Sequence, residues 1–321
     1  MFLEDNVGQF INNPNLKPEK TIDYQLGFEQ RVSKSSALTI SAFYREVRDM
    51  IQAQKVNFAY PNTYQTFDNI DFGTIKGLTL SYDLRRTANV SLNANYTLQF
   101  AEGTGSDATS QADLVDFGQP NLRTIVPLDY DSRHQIDLRL NYSYAEGENY
   151  TGPSINGVDF LSNTGASLTL QARSGAPYTK QANPTAEALF TQVDRPILEG
   201  KINGSRLPWN IRLDGRLYKR FNLDFSGSES EQSKDPVSVK VYLLVKNIFN
   251  QRNVTDVYPY TGNPDDDGYL SSPEGQQLIN NQEEVDEEQA QSFQDQYRAW
   301  INDPGNYGIP RFIRLGATLN F

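Results

Sequence analysis

Apolar and polar residues alternate strictly in several separate stretches of this chain, and the last stretch shows the pattern most plainly. From Arg311 to Phe321, the residues Arg311, Ile313, Leu315, Ala317, Leu319 and Phe321 fall on one face, and Phe312, Arg314, Gly316, Thr318 and Asn320 on the other. A period of two is the period of a β-strand. The same alternation begins at Ile22, Leu38, Leu78, Val90, Ile136, Ala166, Ile211 and Val237. That makes nine strands of about ten residues. Opposite each apolar face lie Arg, Asp, Asn, Gln, Thr and Ser. Lys219 interrupts the apolar face of the seventh strand.

The connections alternate short and long. Short turns lie near residues 32–36, 86–89 and 226–235, with a moderate Gly-rich connection after the fifth strand. The long loops cover about 47–73, 101–132, 174–207 and 250–309. A soluble sandwich also alternates, but it has no reason to place every long loop at one end. A transmembrane barrel does, with short periplasmic turns and long extracellular loops. The pattern predicts an all-β fold, a transmembrane antiparallel β-barrel whose last strand ends in the periplasm. Single-chain bacterial barrels have even strand numbers. Nine strands, and a start at Met1–Gly8 with neither basic n-region nor apolar h-region, lead to the expectation that this is the C-terminal part of a longer barrel.

Composition agrees. Only 37% of residues are hydrophobic, and the run Val241–Val245 is far too short for a spanning helix, which needs ~20 residues. The 18 Tyr and 17 Phe suit girdles at two membrane interfaces, although a Tyr-rich sandwich would share them. A net charge of -11 argues against general nucleic-acid binding. With no Cys and His134 as the sole His, a hydrolytic triad would rest on one residue, and His134 reads as a polar strand end. The chain is not expected to be an enzyme.

The last loop changes period. Phe293, Tyr297, Trp300 and Ile301 form a helical stripe, with Ser272-Pro273 as a start and Asp303-Pro-Gly305 as a stop. It reads either as a helix packed on neighbouring loops or as a ligand lid. Asp265-Asp-Asp-Gly268 could hold Ca²⁺ through Asp265 and Asp267, since hard cations want several carboxylates, but it lacks EF-hand spacing and also reads as a solvated acidic loop. No other cofactor is expected. Tyr60, Tyr64, Tyr258, Tyr260, Tyr269 and Trp300 are the loop aromatics that could stack a sugar or peptide. On the inward face, Arg139, Arg173, Arg212, Asp214, Arg216, Arg220 and Arg314 need water or a polar filling, which favours a wide barrel.

Several motifs carry a resemblance: Asn13-Pro-Asn-Leu-Lys-Pro-Glu19 with the strand from Ile22 to Glu29, Ser174-Gly-Ala-Pro-Tyr-Thr179, Val245-Lys-Asn-Ile-Phe-Asn250, and Tyr307-Gly-Ile-Pro-Arg311 with the final strand. Together they resemble the C-terminal part of a TonB-dependent outer-membrane transporter, most closely the Oar-like and starch-utilisation types with a carboxypeptidase-regulatory-like N-terminal domain. That resemblance implies a 22-stranded barrel with a plug and a TonB box upstream. It also implies energising by the TonB–ExbB–ExbD complex, an outer-membrane location in a Gram-negative cell, and uptake of a scarce nutrient such as a siderophore, vitamin B12, glycan or peptide. Partners would be outer-membrane lipid, a surface lipoprotein, and the barrel-assembly machinery reading Leu315, Ala317, Leu319 and Phe321. The rival reading is a non-transporting barrel serving as a structural or secretion-complex subunit.

Overall fold

The computed structural model describes residues 10–60, 62–116, 119–185, 197–223 and 237–320. Nine long strands dominate: β1 (Lys20–Arg31), β2 (Ser36–Val56), β3 (Tyr64–Thr87), β4 (Val90–Gly103), β5 (His134–Ser143), β6 (Thr164–Arg173), β7 (Asn210–Leu223), β8 (Val237–Lys246) and β9 (Phe312–Asn320). Each pairs antiparallel with the next in sequence, so the sheet is one uninterrupted meander from β1 to β9. These are the nine strands that the alternation predicts. The turn expected near 226–235 lies outside the described residues, as does Phe321.

Register keeps the two faces apart across the whole sheet. One row runs Leu38, Tyr82, Ala94, Leu138, Leu170, Leu213. Another runs Tyr142, Ala166, Leu217, Leu243, Leu315. The opposite face has rows such as Asn95, Asp137, Gln171, Arg212. A slip of one residue in any strand would exchange its faces. Between β3 and β4 the register is set by a two-residue turn. Ala88 (φ 47°) and Asn89 (φ 72°) both take left-handed conformations, as a type I′ hairpin turn requires.

The large apolar side chains of the wall point away from protein. Leu26 is 79% exposed, Leu315 74% and Leu217 55%. Leaving one such leucine in water forgoes roughly 1.5–3 kcal/mol of burial. A face of them is stable only against hydrocarbon, which is the outer face of a membrane barrel. Among the described residues no helix is long and apolar enough to cross a membrane. Aromatic residues bound the apolar band: Tyr24, Tyr44, Phe100, Tyr96 and Trp209 towards the long loops, and Tyr142, Tyr144 and Phe221 towards the turns. Lys219 does interrupt that band near the turn end, where its ammonium donates to the Phe160 carbonyl.

Buried apolar residues lie instead mostly at the long-loop end. Met50, Ile51, Ala53, Ala101, Val115 and Leu128 form part of this core, and Tyr269, Tyr297 and Ile301 form a second cluster. This corrects the loop expected over 47–73: β2 runs on to Val56 and β3 begins at Tyr64, so only residues 57–63 connect them. A register shift between Val47 and Ile51, with Asp49 at φ 57°, breaks the alternation. Above it both faces of the hairpin are covered, so the period-two signal disappears. The loop expected over 101–132 likewise begins later, because β4 continues to Gly103, and it contains the short helix α1 (Ala112–Asp116).

Candidate functional site

The long-loop end is a folded structure in its own right, and it starts before β1. Phe10–Ile11 pairs with Gln65–Thr66 at the edge of the raised hairpin. The Asn13–Glu19 segment then lies along that hairpin. Asn13 donates to the Phe67 carbonyl at 3.0 Å, Lys17 and Asn69 exchange bonds of 2.7 and 2.9 Å, and Glu19 accepts from the Ile51 amide at 3.0 Å. Pro14 and Asn15 form a turn, with the Leu16 amide donating to the Asn13 carbonyl, and the chain then runs without helix through Pro18 into β1.

Residues 104–133 cover the hairpin's other side. The buried Gln52 amide shares its two N–H donors among Asp71 (2.9 Å), the Ser110 hydroxyl (2.8 Å) and the Asp107 carbonyl (3.0 Å), while Thr104 donates to the other Asp71 oxygen (2.9 Å). Gln111 spans the loop, donating to the Thr104 carbonyl and accepting from the Leu122 amide. Such buried polar groups are costly unless paired, and here they join strand to loop. The next loop locks onto this one: Arg206 binds the Asp131 carboxylate and carbonyl, and Asn203 donates to Asp129 at 2.6 Å. In the same loop Lys180 and Glu199 pair at 2.9 Å, a bond that holds the lysine pKa above its usual range.

The segment after β8 closes on itself at Asn247. This fully buried residue (φ 51°) donates to the Gln251 and Ile309 carbonyls, both at 3.0 Å, and accepts from the Gln251 amide at 3.1 Å. The Asn-Ile-Phe-Asn motif is therefore a clamp at the loop base, with Asn250 accepting from the Arg311 amide. Beyond it the expected single helix is two, α2 (Pro273–Glu283) and α3 (Glu287–Ile301). Ser272 caps α2 with Pro273 in its first turn, as its sequence predicts, and Asp286 caps α3.

This loop places the candidate aromatics unequally. Tyr258 and Trp300 line one side of an open cleft of about 550 Å³ with Pro259, Ile301, Asp256 and Asp303. Trp300 is 60% exposed, and the Tyr258 hydroxyl donates to the Ile301 carbonyl at 2.6 Å. Tyr269, expected at a binding surface, is in the loop core instead, stacked on Tyr297 at 5.3 Å. Its chain position follows a Gly268 turn that folds it inward. Tyr260 is partly exposed and lies against Gly268. Tyr60 is fully exposed in the 57–63 connection, and Tyr64 opens β3 opposite Val56.

In the acidic loop the two candidate carboxylates bond different groups. Asp267 accepts from the Tyr269 amide (3.0 Å) and the Tyr297 hydroxyl, whereas Asp265 accepts from the Tyr307 hydroxyl (2.6 Å). These carboxylates serve separate tyrosines. Among the described residues no three His, Cys, Asp or Glu side chains are placed to hold a metal. The Asp265 bond raises the Tyr307 pKa, since ionising the phenol would set two negative charges together.

Below the loops the inward wall is mostly polar, with Phe43, Ile75, Leu244 and Phe312 as apolar exceptions, and its halves differ. On β1–β6, ion pairs join neighbouring strands: Arg45 with Asp23 between β1 and β2 (2.7 Å), and Arg173 with Asp137 between β5 and β6 (3.4 Å). On β7–β9 the inward cations are Arg212, Arg216, Arg220, Lys240, Lys246 and Arg314, and Asp214 is the one inward carboxylate among the described positions. Asp214 is 3.3 Å from Arg212. Two cations settle on rings, Arg216 4.5 Å over Tyr242 and Lys240 4.2 Å over Tyr218. The row Gly165, Tyr218, Tyr242, Gly316 explains the geometry. A Cβ on either glycine would lie 2.5 Å from the facing tyrosine ring, so the rings lie down over the glycines and present their faces. The alternation names the arginines. The tyrosine pair, legible as Gly opposite Tyr on neighbouring strands, is missed without the register.

The sole histidine also has a role that the sequence does not show. His134 opens β5 on the outward face, between the rings of Tyr96 (6.2 Å) and Trp209 (5.8 Å), and its Nδ1 bonds the Tyr96 hydroxyl at 2.9 Å.

Comparison with known proteins places this architecture. Residues 3–194 match the model of the TonB-dependent receptor-like β-barrel. No curated protein sequence matches the chain. Among solved structures, it is similar to the outer membrane transporter YddB from Escherichia coli (13% identity, TM-score 0.48), covering 78% of this chain and 32% of that one. It is also similar to FpvA from P. aeruginosa bound to heterologous pyoverdines (12%, TM-score 0.46; 94% and 27% covered). The FrpB iron transporter from Neisseria meningitidis is a third (15%, TM-score 0.43; 76% and 29%). The chain thus spans about a third or less of the length of these structures.

Proposed function

This chain belongs to the TonB-dependent receptor-like β-barrel family, and we propose that it supplies wall and mouth to an energised outer-membrane transporter of a scarce nutrient. The observation that carries the proposal is the pairing of two features at one end of the sheet. A charged, polar inward wall leads up to loops that are folded, interlocked and open at the Trp300–Tyr258 cleft. A wall kept only for structure would not need a cationic inner surface, whose unpaired charges require water or a polar occupant.

In this reading the long loops face the cell exterior and the turns face the periplasm. The cleft makes first contact with substrate through the exposed Trp300 ring, with Asp256 and Asp303 beside it. Tyr60 and Tyr260 are secondary contacts. The nine strands form the last part of a larger barrel, of Oar-like or starch-utilisation type, and TonB–ExbB–ExbD acts through a region outside this chain. The barrel-assembly machinery reads Leu315, Ala317, Leu319 and Phe321, and a surface lipoprotein can seat on the loops.

Uptake by cells carrying the full-length receptor tests this. Depletion of nutrients from the medium is compared between wild type, Trp300→Ala and cells lacking functional TonB. The reading expects at least one solute whose depletion needs TonB and falls about tenfold in Trp300→Ala, the scale of losing an aromatic hot spot. If no depletion depends on TonB, the structural or secretion-complex reading takes its place.

A further inference from the structure

The cleft beside Trp300 has a chemistry more specific than its shape. It lies where α3 ends, between residues 256–259 and the turn of residues 302–306. Among the described residues that line it there is no Lys, Arg or His. Two carboxylates line it instead. Asp256 accepts from the Val257 amide at 2.8 Å and Asp303 from the Gly305 amide at 2.7 Å, each through Oδ1. Their Oδ2 atoms have no donor among the described residues. Asn306 is nine-tenths buried at the cleft, and its amide nitrogen donates to the Pro264 carbonyl at 2.7 Å. Its Oδ1 likewise has no donor among the described residues. The C-terminus of α3, a helix of 15 residues, adds the partial negative charge that helix ends carry. Cations on neighbouring segments are engaged elsewhere: Arg252 with Asp265 (4.0 Å) and the Tyr307 ring, Arg298 with Asp295 (3.5 Å), and Lys180 with Glu199 (2.9 Å).

We propose that this cleft takes a basic peptide, seating an arginine or lysine side chain against the Trp300 ring with Asp256 and Asp303 at its charge. A cation gains both from an indole face and from carboxylate acceptors. The Tyr258 hydroxyl is committed to the Ile301 carbonyl, so the acceptors come from Asp256, Asp303 and Asn306. An anionic ligand would meet two like charges and the negative end of a helix. A neutral sugar would bond the carboxylates yet leave their charge unmatched. A bare metal ion would find too few ligands, because no third His, Cys, Asp or Glu among the described residues joins the pair. At about 550 Å³ the cleft holds more than one side chain, and its open side lets a peptide continue past the ring. The inference rests on the reading of this cleft as the first contact with substrate, and it names the chemistry of that substrate.

Isothermal titration of the full-length receptor in detergent, with acetylated and amidated tetra-arginine as the probe, tests the proposal. Tetracitrulline has the same shape without the charge, and calcium chloride is a third probe. The wild type should bind tetra-arginine, and tetracitrulline at least about tenfold more weakly. Asp256→Asn/Asp303→Asn keeps both Oδ1 acceptors, removes both charges, and should weaken tetra-arginine by a similar factor. Glu283→Gln/Glu284→Gln removes two acids of the same loop outside the cleft and should leave binding unchanged. Equal binding of the two peptides, or equal losses in the two double variants, would overturn the proposal. So would displacement of tetra-arginine by calcium at matched ionic strength. If the first double variant does not fold, Asp256→Asn alone carries the same comparison. Binding to purified receptor needs no TonB. Tetra-arginine bound without any TonB-dependent depletion would therefore count against transport alone, and TonB-dependent depletion without tetra-arginine binding against the basic peptide alone.

Discussion

The wall and the loop end of this protein follow opposite rules. In the wall, backbone pairing holds nine strands in register while leucines such as Leu26 and Leu315 stand exposed. Its stability comes from ladders of hydrogen bonds and from the lipid that the outward face meets. At the loop end, Tyr269, Tyr297, Ile301 and Leu128 are buried as in a water-soluble domain, and polar groups such as Gln52 and Asp131 are enclosed with partners. One chain thus uses two solvents. The change occurs near the register shift between Val47 and Ile51, where a strand lining the barrel becomes a strand inside a soluble-style core. A barrel strand can serve as scaffold for a folded loop structure without changing direction.

Separating the two regions experimentally should begin in the loop core. Tyr297→Ala removes a buried ring and leaves the Asp267 carboxylate without one of its donors. It should cost the last loop roughly 3–5 kcal/mol, seen as rapid proteolysis between residues 250 and 309 while the strands stay protected. Loss of the whole barrel would mean that wall and loop fold as one unit. Next in size is Leu170→Arg, in the middle of the apolar band, expected to cost about 2–4 kcal/mol of barrel stability in lipid vesicles. Thr169→Arg, one residue away on the inward face, should change stability by less than about 0.5 kcal/mol, and equal effects would contradict the assignment of faces. The smallest effect is a pH response confined to the loop. Tyr307 is held protonated by Asp265, so its pKa lies above the ordinary tyrosine value. Its contribution is complete below the unfolded pKa of about 10 and lost as pH rises through the higher folded value. Alkaline titration should loosen the last loop in wild type and leave Tyr307→Phe without that step.

The wall was almost fully legible in the sequence, because exposure to lipid on one side and water on the other imposes a period of two. Eight of the nine strands begin within two residues of their first alternating position, and β3 begins at Tyr64, well before Leu78. Legibility ends where that cause ends. Residues 51–56 and 64–71 are strand, but with cover on both sides they have no reason to alternate. In the last loop the helical stripe at Phe293, Tyr297 and Trp300 is real, yet Tyr297 is core and Trp300 is surface. Their spacing shows a shared helix and says little about depth. The same limit applies to Tyr258 and Tyr269: both are loop tyrosines in sequence, and only the fold separates the cleft wall from the core. The contact of Arg133 with Phe100, across the strand from Lys76, is invisible for a different reason. Lys76 and Arg133 are far apart in sequence and meet only through Phe100 on β4.

Asn247 bonds to residues at both ends of the excursion that leaves the wall after β8, at Gln251 and at Ile309. Topologically, that makes the excursion a cassette plugged into a single socket. One further attachment lies just inside it, where Asn253 exchanges bonds of 2.8 and 2.9 Å with Ile211 on β7. Once the ends are fixed, even doubling the enclosed length adds only about 0.6 kcal/mol of closure entropy. The stretch beyond Asn253 can therefore differ in length and sequence without altering these attachments to the membrane-embedded strands.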